Sequence, residues 1–421
     1  MKKPKKNYWE ERSRMSNIPK LRFPEFKGEW EEKKLNSIFT KITQRNSDNQ
    51  NSNVITNSAT EGLVSQRDYF DKDIANKDKT DNYFIIKNGD FVYNPRKSSA
   101  APYGPFTQYK LLDDGIVSPL YLCLRKNNSE VESKYLENYF KTTCWHQYIY
   151  ENGSSGARHD RVSIHDDVLL AMPIKVPSLP EQQKIADFLS NVDSIITAET
   201  KILKTLQKKK KALMQKLFTQ QLRFKSADGT DFPAWEDSTL EKECDYVDYR
   251  GKTPKKVSTG IFLVTAKNIK LGYIDYECSK EYIAENDYNE VMHRGKVKLG
   301  DVLITTEAPC GNVAQIDNEN VALAQRVIKY SSKGRLNNTF LKYYFLSDLF
   351  RTIINEKATG STVKGIKGSV LHKQKVIVTS LEEQQKIADC LSSLDSLIQT
   401  QQKVVTTWQQ RKKALLQQMF I

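Results

Sequence analysis

The sequence predicts an α+β protein in which two mixed α/β domains are separated by two long helices, which pair as an antiparallel coiled coil with pseudo-two-fold symmetry. Three observations support this prediction. The segment Glu181–Asp187 recurs as Glu383–Asp389, 202 residues later. After each copy, apolar residues recur at alternating steps of four and three, which is the spacing of a coiled-coil seam. Before each copy, short apolar runs are separated by glycine and proline, as in mixed strands and loops.

The order of these patterns along the chain predicts the domain boundaries. The lysine-rich start lacks apolar periodicity and is expected to be a flexible tail, in which Met1 and Met15 are both candidate starts. The predicted segments are the tail at 1–20, the first mixed domain at 21–178, the first helix at 179–222, the second mixed domain at 223–379 and the second helix at 380–421.

The first mixed domain contains several short segments with strand character. Tyr83–Ile86, Asp90–Tyr93 and Tyr121–Leu124 are apolar runs bounded by turn residues. Thr43–Asn53 is rich in asparagine and serine and predicts a loop, whereas Tyr135–Phe140 predicts the start of a helix. The second mixed domain repeats this arrangement more loosely, so the helices are more alike than the domains between them.

The first long helix is predicted to begin after Pro177, with Ser178 as a plausible N-cap and Glu181 in the first turn. Its apolar seam matches that of the second helix without a gap as far as Phe218 and Phe420. Polar residues occupy matched positions in the two seams, where they typically fix the register of a coiled coil. These positions are Glu199 with Gln401 and Lys210 with Lys412.

The charge of the chain favours a polyanionic partner. The formal net charge is +14, and nucleic acid is the commonest partner of strongly basic proteins. The six cysteines are scattered singly without a Cys-x-x-Cys pair, so we expect no metal site. The sequence has no apolar run of about 18 residues and no apolar stretch after its charged start, so we expect a cytoplasmic protein.

Motifs for catalysis are incomplete. Tyr93-Asn94-Pro95-Arg96 lacks the second proline and the aromatic residue of an adenine-methyltransferase motif, which holds and stacks the flipped base. The glycine-containing segment Gly360–Lys367 misplaces the lysine of a phosphate-binding loop. We therefore expect that the chain is not an enzyme.

The layout resembles the specificity (S) subunit of type I restriction–modification systems. The family pattern P-x-L-x-EQ-x-x-I-A-x-x-L…D matches residues 177–193, whereas the second copy has Thr379 and Glu382 in place of the prolines. Gly89–Pro95 and Arg250–Pro254 resemble forms of the family's target-recognition domains. The resemblance covers nearly the whole chain from about residue 20, and the doubled helix is its specific part.

The resemblance implies a function that spacing alone does not give. Each mixed domain would be a target-recognition domain that reads one half of a bipartite, asymmetric site in double-stranded DNA. The paired helices would set the spacing and dock two methyltransferase (M) subunits for adenine-N6 methylation, and restriction (R) subunits would add ATP-dependent cleavage. The chain itself would hold no cofactor, because S-adenosylmethionine, ATP and Mg²⁺ are expected on the partner subunits.

Candidate contact residues follow from side-chain chemistry. Forked and amide side chains on loops suit base edges, and lysine, arginine, serine and threonine suit phosphates. The candidate DNA-binding residues are Asn57, Ser58, Thr60, Arg96, Lys97, Ser98, Arg158, His159, Arg161, Arg250, Thr253, Lys255, Thr265, Lys267, Asn268, Lys364 and Lys367. The candidate partner-binding residues on the helices are Gln182, Ile185, Leu189, Gln384, Ile387 and Leu391.

Two other hypotheses remain open at this point. A free-standing methyltransferase or nuclease is disfavoured by the incomplete catalytic motifs. A coiled-coil adaptor that binds only proteins is disfavoured by the basic charge and by the basic loops.

Overall fold

The computed structural model describes residues 18–69, 80–155, 159–249, 251 and 253–421. The predicted N-terminal tail lies almost entirely outside these residues. The chain divides into two compact units, the first formed by residues 1–199 with 404–421 and the second by residues 200–403. Both units combine helices with small sheets, as the sequence predicts.

The strands of the first unit are short, and nearly all their pairings are antiparallel. They are β1 (Glu31–Lys34), β2 (Phe39–Lys41), β3 (Ile55–Ser58), β4 (Gly62–Ser65), β5 (Phe84–Ile86), β6 (Phe91–Tyr93), β7 (Phe106–Gln108), β8 (Gly115–Val117), β9 (Leu122–Lys126), β10 (Ser154–Ser155), β11 (Val162–Ser163) and β12 (Pro173–Val176). The largest sheet has the order β2-β9-β6-β7, and two-stranded sheets pair β1 with β12, β3 with β4, β5 with β8 and β10 with β11.

The strands of the second unit repeat this plan. They are β13 (Glu236–Thr239), β14 (Cys244–Asp248), β15 (Ile261–Val264), β16 (Tyr282–Ile283), β17 (Val302–Thr305), β18 (Val313–Gln315), β19 (Val321–Leu323), β20 (Val327–Ser332) and β21 (Lys375–Val378). The sheet β14-β20-β17-β18 corresponds to β2-β9-β6-β7, and the pair β13-β21 corresponds to β1-β12. A three-stranded sheet, β16-β15-β19, contains a parallel pairing of β15 with β19.

Helices follow the strands in both units. They are α1 (Gln66–Tyr69), α2 (Ser133–Tyr139), α3 (His146–Asn152), α4 (Asp166–Leu170), α5 (Leu179–Phe218), α6 (Leu240–Glu243), α7 (Tyr288–Val291), α8 (Asn338–Leu346), α9 (Asp348–Lys357), α10 (Gly368–His372) and α11 (Leu381–Met419), with 3-10 turns at Leu35–Ser37 and Glu285–Asp287. None of the helices in the described ranges has the length and apolarity needed to cross a membrane.

The first long helix ends four residues before the predicted boundary. The backbone of Gln220 has a φ of 58°, in the left-handed region, and the Leu222 N–H donates to the carbonyl of Lys216. This geometry ends a helix by turning the chain away from its axis. The helix begins at Leu179, and the Gln182 N–H donates to the carbonyl of Ser178 in its first turn.

Antiparallel pairing of the long helices is visible within each unit. In the first unit the start of α5 and the end of α11 share one core, which contains Leu189 and Leu416. In the second unit Leu217 near the end of α5 shares a core with Leu391 near the start of α11. The structure therefore confirms the coiled-coil pairing. The unit boundaries cut through both helices and do not separate helices from domains, because each helix end completes the core of a domain.

Two of the predicted polar seam residues, Lys210 and Lys412, form matched ion pairs. Lys412 Nζ lies 2.5 Å from a carboxylate oxygen of Asp193 in the first unit, and Lys210 Nζ lies 2.5 Å from Asp395 in the second. Both lysines are less than one fifth exposed. Because shifting either helix would separate a partly buried lysine from its carboxylate, these pairs specify the register.

Candidate nucleic-acid interface

A buried glutamate at the start of each long helix attaches the adjoining domain. Glu181 accepts hydrogen bonds from the Arg22 guanidinium at 2.7 and 2.8 Å and from Trp30 Nε1 at 3.4 Å. In the second unit Glu383 accepts from Arg223 at 3.0 and 2.8 Å and from Trp235 Nε1 at 2.8 Å. Each glutamate is at most 1% exposed. We call each of these groups a clasp.

Burial and hydrogen bonding shift the pKa of Glu383 in opposite directions. Burial raises the pKa of this carboxyl group, but hydrogen bonds from Arg223, Thr379 and Trp235 stabilise the ionised form and outweigh burial. The net pKa is lowered, so the clasp of the second unit holds a charged carboxylate.

The glutamine that follows each glutamate completes the attachment. Gln182 accepts from the backbone N–H of Glu132 at 2.7 Å and donates to the carbonyls of Glu130 and Pro177. Gln384 makes the same set of bonds with Asn337, Arg335 and Thr379. Each glutamine thus binds the backbone at the start of a domain helix, α2 or α8, where N–H groups lack helical partners.

Six helix residues that the sequence assigns to partner binding are buried. Their side chains are 0–2% exposed: Gln182, Ile185, Leu189, Gln384, Ile387 and Leu391. Partner binding by these residues stays a prediction. Within each unit the repeated sequence motif joins the domain to its helix.

Most of the candidate DNA-binding residues of the first domain line one cleft of about 500 Å³, which we call the first cleft. Those in the lining are Asn57, Ser58, Thr60, Arg96, Lys97, Ser98 and Arg161. No carboxylate belongs to the lining that the structure describes. This cleft therefore concentrates positive charge and hydrogen-bonding groups, as a nucleic-acid interface requires.

Two backbone segments place the arginines of the first cleft side by side. Arg96 and Arg161 are opposite each other in an antiparallel bridge, and the Lys97 N–H donates to the carbonyl of Asp160 at 2.8 Å. The Val162 N–H donates to the carbonyl of Pro95. Like charges placed opposite each other repel, so an anion between them relieves an unfavourable contact.

Two of the candidate asparagines have structural roles. Asn57 is 4% exposed, donates to the carbonyl of Val92 and accepts from Thr107 Oγ1. Asn268 is fully buried, accepts from the N–H and hydroxyl of Thr265 and donates to backbone carbonyls. Both amides are therefore bonded to their own chain and hold loop backbone in this structure, and base contact by either asparagine stays a prediction.

The hydroxyl groups at the first cleft differ in access. Ser58 is 8% exposed and its Oγ accepts from the N–H groups of Thr60 and Glu61, whereas Thr60 and Ser98 are exposed. His159 is exposed with a φ of 55°. Arg158 lies outside the described residues, as does Arg250 of the second domain. DNA contact by the exposed residues stays a prediction.

The second domain has two adjoining clefts that share Thr253, Pro254 and Gln325. The second cleft, of about 270 Å³, is lined by Thr265 and Lys267 together with Lys256, Glu281, Ala308 and Arg326. The third cleft, of about 430 Å³, is lined by Lys255 together with Tyr249, Asp287, Glu290, His293 and Arg294. Both therefore mix cations with carboxylates, unlike the first cleft.

Lys364 and Lys367 lie on a segment beside the second cleft. Gly365 between them forms a bridge with Glu307, and the Ile366 N–H donates to the carbonyl of Thr306. Both lysines are exposed, but neither is among the residues that line a described cleft.

Sequence reasoning missed several residues that line the clefts. In the first cleft these are Ser118, Leu120 and Tyr121, and in the clefts of the second domain they are Gln325, Arg326, His293 and Arg294. They come from connections between strands of different sheets or from short helical turns, which the sequence did not mark by composition. The dipeptide Gln325-Arg326 becomes a candidate for DNA contact only when the structure places it in the lining of a cleft.

The amide of the incomplete methyltransferase motif is buried and bonded within the chain. No cluster of three potential metal ligands occurs among the residues that the structure describes. Asn94, in the incomplete methyltransferase motif, is 8% exposed, donates to the carbonyl of Asn57 and accepts from the Arg96 N–H. Its amide is therefore occupied by its own chain.

Comparison with known proteins identifies the family. The model of the type I restriction modification DNA specificity domain matches residues 27–208 and 234–407. The type I restriction enzyme MjaVIII specificity subunit from Methanocaldococcus jannaschii is 27% identical over 319 residues, which cover 72% of each chain. The putative MjaX specificity subunit from the same organism is 27% identical over 307 residues, covering 70% of this chain and 69% of the relative.

Solved structures agree on the fold. A chain from a structure of the type I R-M system has a TM-score of 0.55 at 16% identity, covering 92% of this chain and 96% of that one. The S subunit from M. genitalium has a TM-score of 0.53 at 14% identity, covering 96% and 99%.

Proposed function

The chain belongs to the type I restriction–modification DNA specificity family, and from this premise we propose that each of its two target-recognition domains reads one half of a bipartite, asymmetric site in double-stranded DNA. As a specificity subunit, the chain is a non-catalytic member of its system. If each domain reads its own half-site, the two domains should be attached to the helices in the same way but should present different surfaces to DNA.

The main support for the proposal is that the two clasps are alike whereas the clefts of the two domains differ. The clasps repeat the same donor and acceptor set, Arg22 and Trp30 on Glu181 and Arg223 and Trp235 on Glu383. The clefts, by contrast, differ in charge and in lining. An asymmetric two-part site requires two domains that are attached alike but differ in their clefts, because each half-site then meets a different set of side chains.

The paired helices support a second part of the proposal, which is docking of two M subunits. In the first unit Phe188, Val192, Ile195, Trp408 and Leu415 line a groove of about 390 Å³ with almost entirely apolar walls. In the second unit Ile202 and Leu397 are 48% and 54% exposed. Apolar surface on both units suits one protein partner for each, since exposed apolar patches mark interaction sites.

The remaining steps belong to the partners. We propose that the M subunits carry S-adenosylmethionine and methylate adenine N6, and that R subunits add restriction driven by ATP and Mg²⁺. The role of the present chain is to select the sequence and, through its helices, to set the gap between the half-sites.

The test is to co-express the chain with its M subunit in a host free of adenine methylation and to map modified adenines by single-molecule sequencing. A gapped two-part motif is expected. Replacing residues 30–176 with the equivalent domain of another specificity subunit should change one half of the motif only. A stoichiometric complex that gives no motif would overturn the DNA-reading proposal in favour of a protein-only adaptor.

A further inference from the structure

A three-residue connection, Ala324-Gln325-Arg326, joins β19 to β20 and passes between two sheets of the second domain. Its ends are fixed by backbone hydrogen bonds, since the Ala324 N–H donates to the carbonyl of Val264 and the Arg326 carbonyl accepts from the Thr306 N–H, both at 2.9 Å. The Gln325 amide donates to Thr253 Oγ1 at 2.9 Å. The connection is therefore held rigidly at the edge of the second cleft.

The backbone of Arg326 is in an unfavourable conformation for an arginine. Its φ is 75°, in the left-handed region where a Cβ atom is crowded and glycine is favoured. Ala308, which lines the same cleft, also has a positive φ of 50°. Strained backbone conformations are frequent at functional sites, where the surrounding structure holds them in place. The strain at Arg326 therefore suggests a functional role for its side chain.

Packing does not explain why an arginine occupies this position. The side chain is 49% exposed, and its Nε lies 2.6 Å from a carboxylate oxygen of Glu307, which is itself 43% exposed. Exposed pairs of this kind add little stability. The pair does orient the guanidinium group, and it engages Nε, so within the described chain the two terminal nitrogens remain available to a ligand.

The corresponding connection of the first domain also lines a cleft. It runs from Ser118 to Tyr121 between β8 and β9, and its Leu120 is 57% exposed. The two connections occupy the same place in the fold but present different chemistry, an apolar side chain in one and a forked cation in the other. A position with these properties is suited to make one half-site differ from the other.

We propose that Arg326 is a specificity-determining residue that reads a guanine in the half-site of the second domain, through its terminal nitrogens and the O6 and N7 atoms of the base. Arginine is the commonest reader of guanine in the major groove. This inference rests on the proposed function, because it presumes that the second domain binds one half-site of the DNA.

The experiment uses the complex of the full chain with its M subunit and the variants Arg326→Gly, Arg326→Lys and Arg351→Ala. Arg351 is an exposed arginine on α9 of the same unit and serves as the charge-matched control. Methylated adenines are mapped for each complex, and binding is measured to duplex DNA that carries the mapped motif or single-base changes in it.

We expect Arg326→Gly to lose preference at one G·C position of one half-site, with discrimination there falling about tenfold or more. The other half-site and the gap should not change. Arg326→Lys should keep the charge but lose most of this discrimination, because lysine lacks the fork. Arg351→Ala should leave the motif intact. The thermal midpoint of Arg326→Gly should be no lower than that of the wild type, since glycine relieves the strained backbone.

Three results would overturn the inference. The first is an unchanged motif in Arg326→Gly, and the second is a uniform loss of binding to all sequences, which indicates a phosphate contact. The third is a markedly lower thermal midpoint, which indicates a structural role. If the wild-type complex itself gives no gapped motif, the proposed function fails first, and that outcome is visible without any variant.

Discussion

The loop after β6 and the loop after β17 occupy equivalent places in the two four-stranded sheets but carry opposite charges. After β6, Arg96 lies opposite Arg161, and no carboxylate lines the described part of the first cleft. After β17, Glu307 forms an ion pair with Arg326, and Lys256 of the same cleft is paired with Glu281. Arg96 and Arg161 thus face no carboxylate in the described lining of the first cleft, whereas Lys256 and Arg326 of the second cleft are paired with carboxylates.

This difference teaches that the two domains need not contribute equally to binding. Uncompensated cations attract phosphates regardless of sequence, whereas an oriented, neutralised cation contributes more to selectivity than to attraction. We therefore expect the first domain to contribute more of the affinity and the second to be more dependent on base identity. The clasps beneath them should behave alike, which provides a reference for the comparison.

The largest effect is expected at the clasps. Glu181→Ala and Glu383→Ala each leave a partly buried arginine without its carboxylate, which costs about 3–5 kcal/mol of the free energy of unfolding. Denaturant unfolding of the two variants measures the loss. Gln183→Ala, on the exposed face of α5, is the control and should change the free energy by less than about 0.5 kcal/mol. A large loss in only one of the two clasp variants would contradict their equivalence.

The clefts should respond unequally to loss of charge. The double variant Arg96→Ala with Arg161→Ala should weaken DNA binding more than Lys255→Ala with Lys267→Ala, since only the first cleft lacks neutralising carboxylates. Each lost phosphate contact should reduce the slope of log affinity against log salt concentration by about 1. Titrations at several salt concentrations test this expectation. Equal slopes in the two double variants would show that the clefts share the phosphate contacts evenly.

The helices can be changed without altering either cleft. One heptad inserted after residue 199 and another after residue 403 keep the seam in phase and lengthen each helix by about 10 Å. The gap in the methylated motif should grow by about three base pairs, at about 3.4 Å per pair, while both half-sites stay the same. A motif with an unchanged gap would show that the helices do not set the spacing.

The smallest effect is expected from pH. The folded-state pKa of Glu383 is lowered, so this group contributes stability that is fully present above its unfolded pKa of about 4.3 and is lost as pH falls through the folded value. The difference in thermal midpoint between wild type and Glu383→Gln should therefore shrink as pH is lowered below about 4.5. A difference that is constant with pH would mean that the ionised carboxylate is not what the clasp requires.

The periodic parts of the fold were predictable from the sequence, and the recognition surfaces were predictable only in part. The helix repeat predicts the antiparallel pairing of the two long helices, because a seam of fixed period allows few registers. In that pairing Lys210 and Lys412 each form an ion pair with an aspartate. Arg96 and Arg161 are 65 residues apart in the chain, and side-chain chemistry alone predicts a role for each, but only the structure places them in one cleft.

Side-chain type does not distinguish two uses of the same residue. The amides of Asn57 and Asn268 suit adenine, but buried amides also satisfy loop backbone groups. The repeated motif predicts a partner surface, and the clasp is a second explanation of the same repetition. No sequence pattern marks Arg326, because a strained φ is a property of the folded chain.

The composition of the first unit has a consequence for biosynthesis. Leu416, Met419 and Phe420 belong to the core of the first domain, and the Leu21 N–H donates to the carbonyl of Gln418. The first domain to leave the ribosome thus lacks part of its core until residues 416–420 are made, whereas the second unit is continuous in sequence. The second unit can therefore complete its fold before the first. A chain that lacks residues 404–421 would leave the core of the first domain open, because these residues complete a domain whose other parts lie more than 200 positions earlier in the sequence.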